Sequence, residues 1–270
     1  MAEPGRPERL YHYQPFDLER LSKIILEKEL YFSNPGDFND PWDCKPWFNA
    51  DVMTDLDLFE DHLSWFIAVH RKYFPDLSET EIQRRANDVR SDPKLLREMI
   101  ERVSEDMETT INEVYRVYCL SSKPDSELMW AHYSSKHQGI CLEFDARNEL
   151  FGQVSKLSYL EKFPLLNLIA ESEHENLKPL ITKSAAWSYE DEYRLIAQEE
   201  NSVMSDGALT TKNNYLGLPD GVLTAIILGC ETPYPIACDI KELIDQSTYP
   251  IKLKRAARAR DRYELSIGCI

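Results

Sequence analysis

Glycine is scarce. The 270-residue chain has nine, against 15 prolines. That leaves little room for loops that cradle phosphates, and GxGxxG and GxxxxGK[ST] are both absent. GxSxG and HExxH are absent too, which removes the readily recognised serine-hydrolase and zinc-protease patterns. The six cysteines form no CxxC pair and show no metal-ligand spacing. Several sit in apolar runs and read as small core residues of a protein kept in a reducing cytosol. No apolar run has membrane-spanning length and no signal peptide is visible, so a cytoplasmic protein without a membrane partner is expected. Positive charge is in short supply: 31 Lys and Arg face 47 Asp and Glu, a net charge of -16. That weighs against a nonspecific nucleic-acid binder, whose affinity comes from basic residues on phosphates. It also makes any anionic ligand depend on a locally positive pocket.

Aromatic residues are plentiful, with five Trp, 14 Tyr and 10 Phe, and they argue for a packed core. Residues 1–8 read as a flexible tail and 9–270 as one domain. Strand candidates are Leu10–Tyr13, Leu30–Ser33, Tyr115–Ser121, Gly139–Phe144, Lys156–Tyr159, Val222–Leu228, Ile251–Leu253 and Tyr263–Ile267. Helix candidates are Asp17–Glu29, a short piece after Ser126, Asn176–Ala185 and Ala237–Ile244. Between about 50 and 114 the apolar spacing is helical, with a capping box at Ser78 and Glu81 and a proline start at Pro93. The expected fold is therefore α+β: a mixed, mostly antiparallel β core carrying a helical insertion.

Four stretches mix aromatic and polar residues: Tyr11–Tyr13, Asn34–Asp43, Met129–Tyr133 and Trp187–Arg194. The last is the most telling. A strand beginning near Tyr189 puts Glu190, Glu192, Arg194 and Ile196 on one face. Two carboxylates roughly 7 Å apart resist joint ionisation, and a nearby Arg relieves them. The same pattern serves an edge strand that stays soluble by its charge. The loop NPGDFNDPWD, pinned by Phe38, Trp42 and Trp47, either binds a ligand through Asn39, Asp40 and Asp43 or uses them on its own backbone. Lys252–Arg262 holds six basic residues and one acid, read as an edge strand paired with the acidic body or as a phosphate seat.

These motifs, L-Y-x-Y, F-N-D-P-[FW]-D, M-W-x-x-Y before G-I-C-L-E-F, and W-x-Y-E-x-E-Y-R, resemble the bacterial domain-of-unknown-function family 2971 from about Leu10 to Gly229. The likeness implies one functional unit in which the clusters converge, and no activity. More distantly, His12 on a first strand, a helix, Tyr31 on a second strand and the Glu190-x-Glu192 spacing are similar to the His–Tyr–Glu form of the ADP-ribosyltransferase fold. That resemblance implies NAD as cofactor. His12 would hold its ribose, Tyr31 would stack on nicotinamide, Glu192 would stabilise the ribose cation and Glu190 would position the acceptor, small or macromolecular. Ser33, Asn39, Asp40, Trp130, His132, Tyr133 and Arg194 are the other candidate cofactor contacts. Ser121-Ser122 stands in only weakly for the Ser-Thr-Ser motif of the Arg–Ser–Glu form. Two other readings compete. A Mg²⁺ nuclease or hydrolase would use Asp40, Asp43, Glu190 and Glu192 with His132 or Lys183. A non-catalytic binding module would line a cleft with Trp42, Trp130 and Trp187.

Overall fold

A computed structural model of the chain describes residues 6–46, 56–162, 177–202 and 207–270. They are mixed α and β and divide into two compact units. Unit 1 comprises 1–38, 114–159 and 185–270; unit 2 comprises 39–113 and 160–184. Among the described residues no helix is long and apolar enough to cross a membrane.

Unit 1 is built on a nine-stranded, mostly antiparallel sheet. Its strands are β1 (Arg9–Gln14), β3 (Tyr115–Ser121), β4 (Ile140–Asp145), β5 (Ser155–Lys156), β8 (Glu192–Glu199), β9 (Leu209–Thr211), β11 (Leu223–Leu228), β12 (Lys252–Arg258) and β13 (Leu265–Cys269). Along the sheet the order is β13-β12-β11-β4-β1-β3-β8-β5, with β9 also paired to β8. Only β11–β12 and β8–β9 run parallel. The short strands β2 (Glu29–Tyr31) and β10 (Tyr215–Gly217) form a separate ribbon. β6 (Ser158–Leu160) and β7 (Thr182–Ser184) are the remaining strands. The central strands ICLEFD and LTAIIL are nearly continuous in apolar residues because both their faces are covered.

Register fixes the faces. Tyr11 lies opposite both Glu143 and Ser121, and Ser121 lies opposite Glu192. Directly paired residues share a face, so Tyr11, Tyr13, Ser121, Glu192 and Arg194 point one way. That face carries a core of Tyr11, Tyr13, Cys141 and Ile227 against Met129 and Trp130 of α5 (Glu127–Tyr133). The other face carries the larger core, including Leu10, Phe32, Tyr118, Phe144 and Leu195. It is covered by α1 (Leu18–Ser22), the π-helical turn Lys23–Glu27 and α6 (Tyr234–Asp245). Asp17 caps α1 by accepting from Arg20 N at 2.8 Å.

Unit 2 holds α2 (Leu56–Tyr73), α3 (Glu79–Ser91) and α4, which runs Pro93–Val114. Phe59, Leu63, Phe66, Ala86, Val89, Leu96 and Ile100 form its core at the spacing read from sequence. Ser78 caps α3 by accepting from Glu81 N.

Several sequence expectations need correction. Beyond Leu177, which is helical, the expected helix does not run on to Ala185: Lys178–Leu180 is a 3₁₀ turn, Thr182–Ser184 a strand and Ala185 the start of a second 3₁₀ turn; Pro179 has no N–H for a longer helical ladder. The basic stripe is no edge strand, because β12 lies between β11 and β13. Trp42 does not pin its loop: it is 67% exposed. Trp47 and residues 1–5 lie outside the described residues, as do 50–55 of the expected insertion and Asn176. Arg6 and Glu8, from the expected tail, hydrogen-bond to Val154 O and Ala146 N.

Candidate functional site

The chain enters β8 through a 3₁₀ turn, Ala185–Glu190, and then through Asp191 at φ 43°. A left-handed Asp is one of the few non-glycine residues that take this conformation readily. It breaks the alternation, so Glu190 and Glu192 are not neighbours on one strand face as the sequence implied. Each is held separately. The Glu190 carbonyl accepts from Ser121 Oγ at 2.5 Å, and its carboxylate accepts from Tyr133 OH at 2.6 Å. The Glu192 N–H donates to Tyr159 OH at 2.8 Å. The Glu192 carboxylate takes two bonds from Arg194, from Nε at 2.7 Å and from the guanidinium fork at 3.2 Å. Asp191 accepts from Ser122 Oγ and pairs with Lys156 Nζ at 2.9 Å. Burial pushes the Asp191 carboxyl up, but the Ser122 and Lys156 contacts outweigh it and leave the group below its ordinary range.

Glu190 and Glu192 are 2% and 3% exposed and Arg194 is fully enclosed, its guanidinium 5.3 Å from the Phe38 ring. At Glu192 a bidentate Arg offsets the cost of placing a carboxylate this deep. Tyr11 and Tyr13 share the face; burial and the Glu143 charge push Tyr11 up to about 12, and burial raises Tyr13 further. Both are neutral donors at physiological pH, and Tyr13 OH donates to Lys123 O at 2.6 Å.

Above the turn lies an aromatic surface. Ser126 caps α5, and Trp130 anchors it, fully buried, edge-on to Tyr13 at 5.2 Å with Nε1 donating to Pro124 O. That anchoring presents His132 and Tyr133. The His132 ring is exposed and lies 6.3 Å from Trp187 and 6.4 Å from Tyr189, which are themselves 6.0 Å apart. Trp187, Tyr189 and Tyr133 are half-buried. Glu190, with Tyr133 on its carboxylate, forms the acidic floor beside these rings.

The other predicted residues lie elsewhere. His12 is on β1, so strand alternation puts it on the face opposite Glu192. Its ring stacks on Tyr118 at 4.3 Å and its Nδ1–H donates to Cys119 O at 2.7 Å. It fills a real gap: β1 and β3 pair only at Tyr11 and Ser121, while farther along β3 it is Ser33 that bridges Val117. Burial holds the imidazole down at about 4, so it is neutral at pH 7. Tyr31 packs edge-on to Tyr215 with the Arg20 guanidinium 4.8 Å from its ring. Asn39, Asp40 and Asp43 belong to unit 2. Asn39 is exposed; Asp40 accepts from Trp42 N at 3.0 Å, and Asp43 pairs with Lys183 at 3.5 Å. The structure thus brings together Glu190, Glu192, Arg194, Tyr133, His132 and Trp130. It does not bring His12 to Glu192.

Sequence reasoning undervalued Ser121, Ser122 and Lys156, which hold the acidic turn. The one visible signal was the Ser-Ser pair closing a clear strand. Among the described residues no group of three or more His, Cys, Asp and Glu is placed to hold a metal ion. Comparison with protein-family models, with curated proteins and with solved structures gives no match.

Proposed function

We propose that unit 1 binds a ligand with a planar, positively charged ring, for which the nicotinamide end of NAD is the candidate, on the His132–Trp187–Tyr189 surface beside Glu190. The observation that carries this reading is the grouping of the exposed His132 ring and the half-buried Trp187 and Tyr189 rings next to a buried carboxylate. A planar cation gains attraction from ring faces and from an opposite charge together. Titration calorimetry with NAD and with nicotinamide mononucleotide tests it. Saturable binding is expected, weakened about tenfold by Trp187→Leu, with Tyr133→Phe also weaker because Glu190 loses its hydroxyl partner. If neither compound binds to the wild-type protein, the reading fails.

A second, enzymatic reading extends the first: transfer of ADP-ribose to an acceptor. What favours it is Ser121, which faces Glu192 in the β3–β8 register and also bonds to Glu190. In that reaction the bond between ribose and nicotinamide breaks and its electron pair leaves with nicotinamide; an acceptor lone pair forms the new bond to the ribose carbon, the acceptor's proton passes to solvent, and a carboxylate would stabilise the cationic ribose between the two events. Release of nicotinamide from NAD is the assay. A protein that binds NAD yet releases none is a binding module. The nuclease reading has less support, since among the described residues no group of three or more His, Cys, Asp and Glu is placed to hold a metal ion.

A further inference from the structure

A second site lies within unit 2. A cavity of about 290 Å³ is lined by Trp42, Lys45, Glu161, Lys162, Lys183 and the Thr182–Ser184 strand, among others. Three lysines and one glutamate line it, in a protein whose net charge is -16, although two of the lysines already have carboxylate partners. Lys45 is tied to Glu108 and Lys183 to Asp43, which fixes both cations in place. Lys162 is exposed and makes no ion pair among the described residues. Trp42 supplies the other half. Its backbone is held by the Asp40 side chain and by the Trp42 O to Lys45 N bond, while its indole is 67% exposed. A large ring held out over a cationic pocket by a fixed backbone is a stacking platform without a partner ring.

We propose that this cavity binds a nucleoside monophosphate, with the base on Trp42 and the phosphate at Lys162 and Lys45. The volume is at the lower end for ligand pockets, enough for one ring system and one compact anion. Lys162, which has no carboxylate partner among the described residues, provides the cation that an anion needs to approach an acidic protein, and Lys45 could share its charge between Glu108 and a phosphate. This site is independent of the one proposed for unit 1.

The test is calorimetry with AMP, adenosine and inorganic phosphate on wild type, Trp42→Ala, Lys162→Glu and Trp187→Leu, with melting curves to confirm folding. AMP should bind at least about tenfold tighter than adenosine or phosphate alone. Trp42→Ala should remove its advantage over phosphate, Lys162→Glu its advantage over adenosine, and Trp187→Leu should change neither. The proposal is overturned if AMP does not bind at millimolar concentration. It is equally overturned if phosphate alone binds as tightly as AMP, or if both unit 2 variants bind AMP like wild type.

Discussion

Arg194 is one of the largest fully buried side chains in the chain, and Glu192 lies against it through two hydrogen bonds. Removing one member of a buried pair leaves the other charge poorly compensated, which costs about 3–5 kcal/mol. Glu192→Gln is therefore expected to lower the melting temperature clearly. A melt indistinguishable from wild type would show that other groups carry Arg194's charge. Read from sequence, this glutamate looked like one of two carboxylates on a strand face shared with Arg194. Alternation shows which residues share a face; it does not show that α5 covers that face. Ser121, Tyr133 and Tyr159, which complete the turn, are far from it in the chain and became legible only through strand register. His12 gives a second prediction. Its folded value near 4 lies below its ordinary 6.5. As pH falls through that window the unfolded chain takes up a proton that the folded one refuses. Stability should then be full above about 6.5 and fall towards pH 4, by at most about 3 kcal/mol given the edge the residue keeps open to solvent. Denaturant midpoints from pH 7 to 4.5 should drop less steeply in His12→Gln than in wild type.

At the scale of elements, the connection from α5 to β4 is the most constrained. Ser135, Lys136 and His137 have φ of 46°, 56° and 68°, three left-handed residues in a row without a glycine. Each costs about 1–2 kcal/mol relative to a right-handed conformation. The turn survives because its ends are bonded: His137 N to Trp130 O, and Glu231 N to His137 O. Gly229 lies so close that a Cβ there would stand 2.0 Å from the His137 carbonyl oxygen. Replacing Lys136 by Gly should stabilise the protein by up to about 1 kcal/mol, measured as a rise in denaturant midpoint. An unchanged or lower midpoint would mean that the lysine stem contributes as much as its conformation costs. The strands around this turn were readable because YRVYCLS and GICLEF have unambiguous β composition. The turn itself was not, since S-S-K-H-Q offers no residue that advertises positive φ. Residues 178–185 misled for a related reason: they were expected to be helical, and Pro179 stops the α-helical ladder there.

For the whole molecule, the helices of unit 2 were legible from periodicity and caps, because their contacts are close in sequence. The division into two units was not, since unit 2 also takes in 160–184, which lies far along the chain from 39–113. The net charge of -16 acts on both units. Self-repulsion opposes compaction and is screened by salt, so the melting temperature should rise between low and physiological ionic strength. A fall would mean that surface ion pairs, such as Arg84 with Glu81 and Asp88, outweigh the repulsion. The strand order carries one more consequence, for synthesis. β1 leaves the ribosome well before its neighbours β3 and β4, which begin only at Tyr115 and Ile140. β4 in turn waits for β11, at Leu223, to cover its other edge. The helices of residues 56–113 emerge in between and can find their partners at once. A nascent chain thus carries an unpaired Leu-Tyr-His-Tyr segment until β3 and β4 emerge, the kind of exposed strand edge that chaperones bind and that aggregates when they do not.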